Sequence, residues 1–146
     1  MKFKVVIFDL DGTIWNHGDI SALSPPFKKV SDDIIEDSRG NLVKLYPYVK
    51  ETLSELKSMD LVLAIASWNK EEIALSTLKA FNLINFFDYY CIEYHSRKEK
   101  MIKKLLNRIN RERTRVYPIQ IIYIDDRDIH LSNIIREVGE IYFIHM

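Results

Sequence analysis

Four stretches of the chain are almost continuously apolar and rich in β-branched and aromatic residues. They cover residues 3–9, 61–66, 119–125 and 141–144. Strands without alternation of apolar and polar residues are typical of parallel sheets, because helices cover both faces of such a sheet. The pattern therefore predicts a buried parallel sheet, and residues 88–92 are a candidate for one further strand.

Amphipathic stretches separate these predicted strands and indicate helices. The helical pattern covers residues 47–58, 70–80, 97–113 and 128–138. Pro47 suits the first turn of the first helix, and Asn69 and Asp128 suit the N-caps of the second and the last. Strands that alternate with helices predict a doubly wound α/β fold with a parallel sheet.

Residues 16–46 interrupt this alternation. They contain Pro25-Pro26, several acids and the turn sequence "DSRG" at 37–40, set between short extended pieces. Proline pairs and clusters of Asp, Ser and Gly mark turns. The segment is therefore predicted to be an insertion after the first strand, formed by a loop and a hairpin.

Length and composition limit the classes of protein that fit. The chain has 146 residues, and we expect residues 1–146 to form a single domain. Lys+Arg and Asp+Glu both number 21, so no excess charge would attract nucleic acid or anionic lipid. The apolar stretches are strand-sized and the N-terminus lacks a secretory apolar segment, so we expect a cytoplasmic protein without a membrane span. Composition leaves the oligomeric state open.

Two pairs of carboxylates directly follow predicted strands. The sequence "VVIFDLDGTIW" ends its apolar run with Asp9 and Asp11, and "IIYIDD" ends another run with Asp125 and Asp126. Parallel strands place their carboxyl ends at one edge of the sheet, where ligands bind. Like charges gathered there require an offsetting charge, and carboxylate oxygens suit a hard divalent cation. The four acids therefore predict a Mg²⁺ site.

A hydroxyl and a lysine complete the set of candidate groups. Ser67 follows the strand predicted over 61–66, and Lys98 and Lys100 begin the helix predicted over 97–113. The hydroxyl can donate to a phosphate oxygen, and either lysine can neutralise phosphate charge. A lysine, a hydroxyl and a metal beside paired carboxylates favour phosphoryl transfer.

The candidate groups suggest a two-step hydrolysis. As a hypothesis, Asp9 attacks phosphorus to form an aspartyl-phosphate, while Asp11 protonates the leaving oxygen and later deprotonates the hydrolytic water. Mg²⁺ would neutralise charge on the reacting oxygens. The expected partner is a phosphorylated molecule.

The order of these groups resembles the four motifs of the haloacid dehalogenase superfamily of phosphohydrolases. The motifs are "DLDGT" at 9–13, Ser67, Lys98 and "DD" at 125–126. More narrowly, Trp15, "PPF", "DSRG", "LYP", "AS" and "IDDR" resemble the magnesium-dependent phosphatase-one family over essentially the whole chain. This resemblance implies a Rossmann-like core without a cap domain, Mg²⁺ dependence, and activity on phosphotyrosine in proteins or on sugar phosphates.

The resemblance also implies roles for single residues. Asp9 would be the nucleophile and a metal ligand, and Asp11 the acid/base and a ligand through its backbone carbonyl. Ser67 would contact phosphate. Asp125 would bind the metal, and Asp126 would bind it through water or support the direct ligands.

The lysine and the substrate contacts are less closely defined. We prefer Lys98 to Lys100, because an apolar stripe at helical spacing follows Lys98, as in the superfamily. Gly12, Trp68 and Asn69 are predicted to contact the substrate. Arg-Thr is common in the family where this chain has Trp68-Asn69, so the substrate preference stays open.

Other interpretations of the same residues remain. A receiver domain also uses strand-end acids, a hydroxyl and a lysine, but its phospho-acceptor ends a middle strand, where this chain has Ser67. A catalytically silent phosphate-binding relative is disfavoured because every reactive group is retained. Trp15, Phe27 and Trp68 could pack in the core or could form an aromatic rim around the substrate.

Overall fold

A five-stranded parallel sheet forms the centre of the computed structural model, which describes residues 2–146. In chain order the elements are β1 (Val5–Phe8), β2 (Lys28–Lys29), β3 (Ile34–Glu36), β4 (Leu42–Lys44), α1 (Val49–Ser58), β5 (Val62–Trp68), α2 (Glu71–Ala80), β6 (Tyr89–Glu93), α3 (Lys98–Glu112), β7 (Ile121–Asp125), α4 (Leu131–Glu137) and β8 (Tyr142–His145). The sheet has the order β6–β5–β1–β7–β8 with every pairing parallel. The predicted parallel sheet is confirmed, including the further strand.

Helices cover both faces of this sheet, as a doubly wound fold requires. Val6 of β1 belongs to a core cluster that contains Leu53 of α1 and residues of α2. Ile7, the next residue of β1, belongs to a second cluster with Ile102 of α3 and Ile134 of α4. Since successive strand residues point to opposite faces, a strand covered on both sides is apolar at every position, which explains the continuous runs.

Strand β1 occupies the centre of the sheet, between β5 and β7. Its last residue, Phe8, lies opposite Ile65 of β5 and Ile124 of β7. The chain moves from β1 outward to β5 and β6, then returns to the other side of β1 at β7. Such a switch point opens a crevice at the carboxyl ends of the strands. Asp9 follows Phe8 and Asp125 follows Ile124, so the register places the two acids at the same level of the sheet.

Three predicted helix starts are wrong in detail. Helix α1 begins two residues after Pro47, because Tyr48 adopts a left-handed backbone conformation with φ of 67°. Asn69 does not cap α2, since its side chain bonds to buried polar groups instead. Helix α4 begins without a side-chain cap, so Asp128 does not fill that role. No helix within residues 2–146 has the length and apolar content of a membrane span.

Residues 16–46 form more regular structure than the predicted loop and hairpin. Strands β2, β3 and β4 make a three-stranded antiparallel sheet. The carboxylate of buried Asp37 accepts hydrogen bonds of 2.8–3.0 Å from the backbone N–H groups of Ser24, Arg39 and Asn41. Although burial opposes ionisation, these bonds lower the pKa of Asp37 to about 2. The insertion is thus a structured element beside the carboxyl edge of the large sheet.

Candidate active site

A cleft of about 290 Å³ lies at the carboxyl edge of the large sheet. The cleft wall includes six of the residues that the sequence singles out: Asp9, Asp11, Trp68, Lys98, Asp125 and Asp126. They come from the ends of three strands and from the start of α3. Parallel strands that meet at one edge therefore gather residues from distant parts of the chain into a single crevice.

Lys98 lies between two of the acids. Its ammonium group donates to Asp9 Oδ1 at 2.8 Å and to Asp125 Oδ2 at 3.3 Å, and its side chain is only 3% exposed. It also donates at 3.1 Å to the hydroxyl of Tyr123, which in turn donates to Asp125. Lys100 is exposed and lies outside this cleft. The geometry therefore favours Lys98 as the lysine of the site.

Asp9, Asp125 and Asp126 form a compact acidic cluster. Each offers one carboxylate oxygen, and these oxygens lie within 4.8 Å of one another. Among the residues that the structure describes, Asp126 Oδ1 is the only buried side-chain nitrogen or oxygen atom that lacks a hydrogen-bond partner. A buried oxygen without a partner is costly, and Mg²⁺ prefers carboxylate oxygens. The residues present therefore fit a divalent cation.

Burial affects the acids of this cluster differently. It raises the pKa of Asp9 to about 7, with the Lys98 charge acting against it and the Asp125 charge adding to it. Burial also opposes ionisation of Asp125, but the Lys98 charge and the hydrogen bond from Tyr123 keep the pKa of Asp125 below its usual value. Burial and then Asp125 raise the pKa of Asp126. A bound cation would favour the ionised form of all three.

Asp11 lies at the cleft but outside the acidic cluster. Its Oδ1 accepts a hydrogen bond from Trp15 Nε1 at 2.8 Å, and its Oδ2 accepts one from Asn69 Nδ2 at 3.2 Å. Burial raises the pKa of Asp11, although both bonds favour the ionised form. A carboxyl group with a raised pKa at the wall of a cleft is suited to exchange protons with a ligand.

The turn after β1 requires a glycine. Gly12 has φ of +74°, and a Cβ atom added there would lie 2.3 Å from Asp126 Oδ2. The next residue, Thr13, donates to Asp9 Oδ2 and accepts from the backbone N–H of Asp126, both at 3.2 Å. Gly12 was predicted to contact the substrate but does not line the cleft. Its position instead lets the two acid-bearing loops approach each other.

We expect Gly12→Ala to weaken metal binding. Alanine is strained at this φ by about 1 kcal/mol, and its Cβ would displace the Asp126 carboxylate. Loss of such support lowers metal affinity by about 10- to 100-fold, which Mg²⁺ titration by calorimetry would measure. Gly18→Ala is the matched control, because nothing lies within 4 Å of an added Cβ there. Unchanged Mg²⁺ affinity in Gly12→Ala would contradict this role for the glycine.

Ser67 and Asn69 lie behind the cleft wall. Ser67 is 0% exposed and Asn69 is 1% exposed, and Asn69 Nδ2 donates to Ser67 Oγ at 2.8 Å. Neither residue lines the cleft. The predicted substrate contact by Asn69 does not match this position, because the amide is occupied by neighbouring polar side chains. The phosphate contact by Ser67 stays a prediction.

The aromatic residues near the cleft divide into core and rim. Trp15 is 0% exposed and stacks on Phe81, while Phe27 packs against the same core. Trp68 is 45% exposed and lines the cleft together with Tyr94. Of the two roles left open by the sequence, Trp15 and Phe27 therefore have the packing role and Trp68 lies at the rim.

Several contacts at the site were not predicted. They involve Thr13, Tyr123 and His130, which lines the cleft and whose pKa is lowered by burial and by the Lys98 charge. Thr13 lies inside the "DLDGT" motif, so that motif could have pointed to it. Tyr123 lies in an apolar strand, and a strand pattern does not show which polar group its hydroxyl will meet.

The sheet order and the strand-end acids define a protein with the haloacid dehalogenase fold. A superfamily hydrolase from Geobacter sulfurreducens aligns with a TM-score of 0.67 at 12% identity, over 98% of this chain and 89% of that one. A putative phosphatase from Clostridium difficile aligns with a TM-score of 0.71 at 17% identity, over 99% and 85% of the two chains. At such identities, these likenesses show the fold alone.

The chain belongs to the acid phosphatase family, whose model matches residues 2–144. Human magnesium-dependent phosphatase 1 is 41% identical over 85 residues. That alignment covers 58% of this chain and 48% of the human protein, so it spans about half of that relative. These findings confirm the resemblance on which the motif assignments were based.

Proposed function

We propose that this chain is a Mg²⁺-dependent phosphomonoesterase that acts through an aspartyl-phosphate on Asp9. The observation that carries the proposal is one cleft that joins a Lys98-bridged acidic cluster to the separate carboxyl group of Asp11. Family membership and the magnesium in the name of the human relative support it. A solved phosphatase domain from Bacteroides fragilis, complexed with Mg, also has this fold, with a TM-score of 0.66 at 17% identity over 99% of this chain and 36% of that one.

The acidic cluster is the proposed metal site. The carboxylates of Asp9, Asp125 and Asp126 would hold the cation, with the Asp11 backbone carbonyl as a further ligand by family resemblance. Bound Mg²⁺ supplies positive charge that offsets the charge of the phosphoryl oxygens. The buried and unpaired Oδ1 of Asp126 is the structural feature that fits this assignment best.

The side chains of this protein would carry out two transfers. In the first, an Asp9 carboxylate oxygen forms a bond to phosphorus while the bond from phosphorus to the ester oxygen breaks, and Asp11 gives its proton to that oxygen. In the second, water attacks the phosphoryl group, Asp11 takes a proton from the water, and the Asp9 carboxylate is released with inorganic phosphate. Lys98 stays beside Asp9 and stabilises the negative charge throughout.

The surroundings of the cleft are compatible with a bulky phosphorylated substrate. A second groove shares Trp68 and His130 with the cleft and continues past Arg97 and Lys100 at the start of α3. This arrangement leaves space for a leaving group larger than a methyl or ethyl alcohol. We propose phosphotyrosyl proteins or phosphosugars as substrates. A receiver function is not favoured, since β5 ends in Ser67-Trp68 and offers no acid there.

A substrate panel with and without metal tests this proposal. We expect phosphotyrosyl peptides and sugar phosphates to be hydrolysed with Mg²⁺, and turnover to fall by about 10²-fold or more after chelation. Addition of Mg²⁺ should restore the rate, whereas Ca²⁺ should restore it poorly because its larger radius favours longer bonds and more ligands. Turnover that is unchanged by chelation would contradict the metal dependence.

A further inference from the structure

Asn69 is a buried residue that connects three parts of the site. Its amide nitrogen donates to Asp11 Oδ2 at 3.2 Å and to Ser67 Oγ at 2.8 Å. Its amide oxygen accepts a bond of 2.6 Å from Ser21 Oγ. Both polar atoms of the amide therefore have partners. Because the nitrogen can only donate and the oxygen can only accept, these partners define the orientation of the side chain.

Ser21 brings the insertion into this network. It lies in a short 3₁₀ turn of residues Ile20–Ala22, is 6% exposed, and its hydroxyl also accepts from the backbone N–H of Lys70 at 2.9 Å. The hydroxyl thus bridges the insertion to the residue that precedes α2. The only donor of this hydroxyl is thus committed to Asn69, and one of its two acceptor lone pairs is committed to Lys70.

These bonds limit the freedom of Asp11. One carboxylate oxygen is held by Trp15 and the other by Asn69, so rotation of the carboxyl group would break at least one bond. A proton donor must lie within hydrogen-bond reach of the atom that it protonates, and its geometry decides its efficiency.

We propose that Ser21 and Asn69 form a positioning pair that holds Asp11 in the orientation needed to protonate the leaving group. The inference rests on the proposed phosphatase function. It adds that the insertion, through Ser21, helps to position the acid. Neither residue touches the substrate. The pair acts on the leaving group only through Asp11, so its loss should have the leaving-group-dependent consequences of a misplaced acid. A loss that arises through the bond from Asn69 to Ser67 would be the same for every ester.

A misplaced acid gives a pattern that general damage to the site does not. Esters with strongly acidic leaving groups need little protonation as the bond to phosphorus breaks, whereas phenyl and alkyl phosphates depend on it. The ratio kcat/KM reports the steps up to phosphorylation of Asp9, before the second role of Asp11 begins. Loss of positioning should therefore steepen the dependence of kcat/KM on the pKa of the leaving group.

The experiment compares Asn69→Ala and Ser21→Ala with the wild-type chain on 2,4-dinitrophenyl, p-nitrophenyl and phenyl phosphate in Mg²⁺. For Asn69→Ala we expect kcat/KM to fall by about 10²-fold on phenyl phosphate and by less than about threefold on 2,4-dinitrophenyl phosphate. Ser21→Ala should show the same trend with a smaller loss. Ser31→Ala is the control, since Ser31 belongs to the same insertion but is exposed and bonds to Asp33.

An Asp11→Asn background gives the second arm of the test. Without the acid, Asn69→Ala should cause no further leaving-group-dependent loss, because the two substitutions remove the same function. Equal losses on all three esters, or additive losses in the double variant, would overturn the inference. Absence of wild-type hydrolysis in Mg²⁺ would instead overturn the proposed function. The unfolding midpoint of each variant shows whether it is folded, and Ser21→Ala keeps the test available if Asn69→Ala is not.

Discussion

Substitution of Asp9 by asparagine is expected to lower kcat/KM by about 10⁴-fold or more, because the amide cannot act as the carboxylate nucleophile. Asparagine has almost the same shape, so the fold should persist. It also removes a negative charge from a buried group beside Asp125 and Asp126. The substitution also removes one partner of buried Lys98, which keeps Asp125 as its other partner. We therefore expect only a small change in the stability of the metal-free variant. Steady-state kinetics and thermal unfolding give the two readouts.

The covalent step can be tested in the same variant. The substrate is an aryl phosphate that carries a radioactive label in its phosphoryl group. Rapid quenching of the reaction in acid should leave this label on the wild-type chain and none on Asp9→Asn. Asp128→Asn is the matched control, because Asp128 also follows a strand of the large sheet, β7, but is exposed and makes no side-chain cap to α4. Activity of Asp9→Asn within about tenfold of wild type would show that another group accepts the phosphoryl group.

Substitution of Lys98 by methionine is expected to damage both activity and stability. The ammonium group is buried between Asp9 and Asp125, and its removal leaves acids without their offsetting charge. Loss of one partner from a buried ion pair costs about 3 to 5 kcal/mol. Lost stabilisation of the reacting phosphoryl group should lower kcat by about 10² to 10³.

The stability effect of this substitution should depend on pH and on metal. Without Lys98, the raised pKa of Asp9 rises further, and the pKa of Asp125 rises because it loses the Lys98 charge that holds it below its usual value. Raised carboxyl pKa values oppose folding once the groups ionise, so the loss should be largest at neutral pH and smaller in acid. Urea unfolding near pH 7.5 and near pH 5 would measure this difference. Saturating Mg²⁺ should recover part of the stability.

Lys100 supplies the control for Lys98. It is exposed at the start of the same helix and lies outside the cleft. With a small substrate such as phenyl phosphate, which does not need the groove past Lys100, Lys100→Met should leave kcat within about twofold of wild type. The free energy of unfolding should change by less than about 0.5 kcal/mol. The opposite outcome, a large loss in Lys100→Met and a small one in Lys98→Met, would reverse the assignment of the lysine.

The sequence was a good guide wherever a property depends on local pattern. Each apolar run became a strand of the parallel sheet, since continuous apolar residues are required wherever helices cover both faces. The short strands of the insertion were underestimated, because two or three residues are too few to show a period. Helix starts were misjudged at Pro47 and Asn69, where backbone conformation and a buried polar network outweighed capping preference.

The candidate site shows the same division. Asp9, Asp11, Asp125 and Asp126 were identified because acids that end buried strands have little structural reason to be there. The preference for Lys98 over Lys100 came from an apolar stripe, and the structure places only Lys98 between the acids. The residues that support the site through hydrogen bonds could not be found in this way, since these bonds join residues far apart in the chain.

The sequence alone determined which segments form the strands of the large sheet and which polar residues stand at the ends of these strands. Both properties can be read from apolar patterns and neighbouring carboxylates within a few residues. Tertiary structure decided which of these groups meet. The order of the strands places Asp9 beside Asp125, and the packing of the insertion brings Ser21 to Asn69. The physical reason is that hydrogen bonds and ion pairs form only between atoms about 3 Å apart. Residues far apart in the sequence come within this distance only when the whole fold has packed.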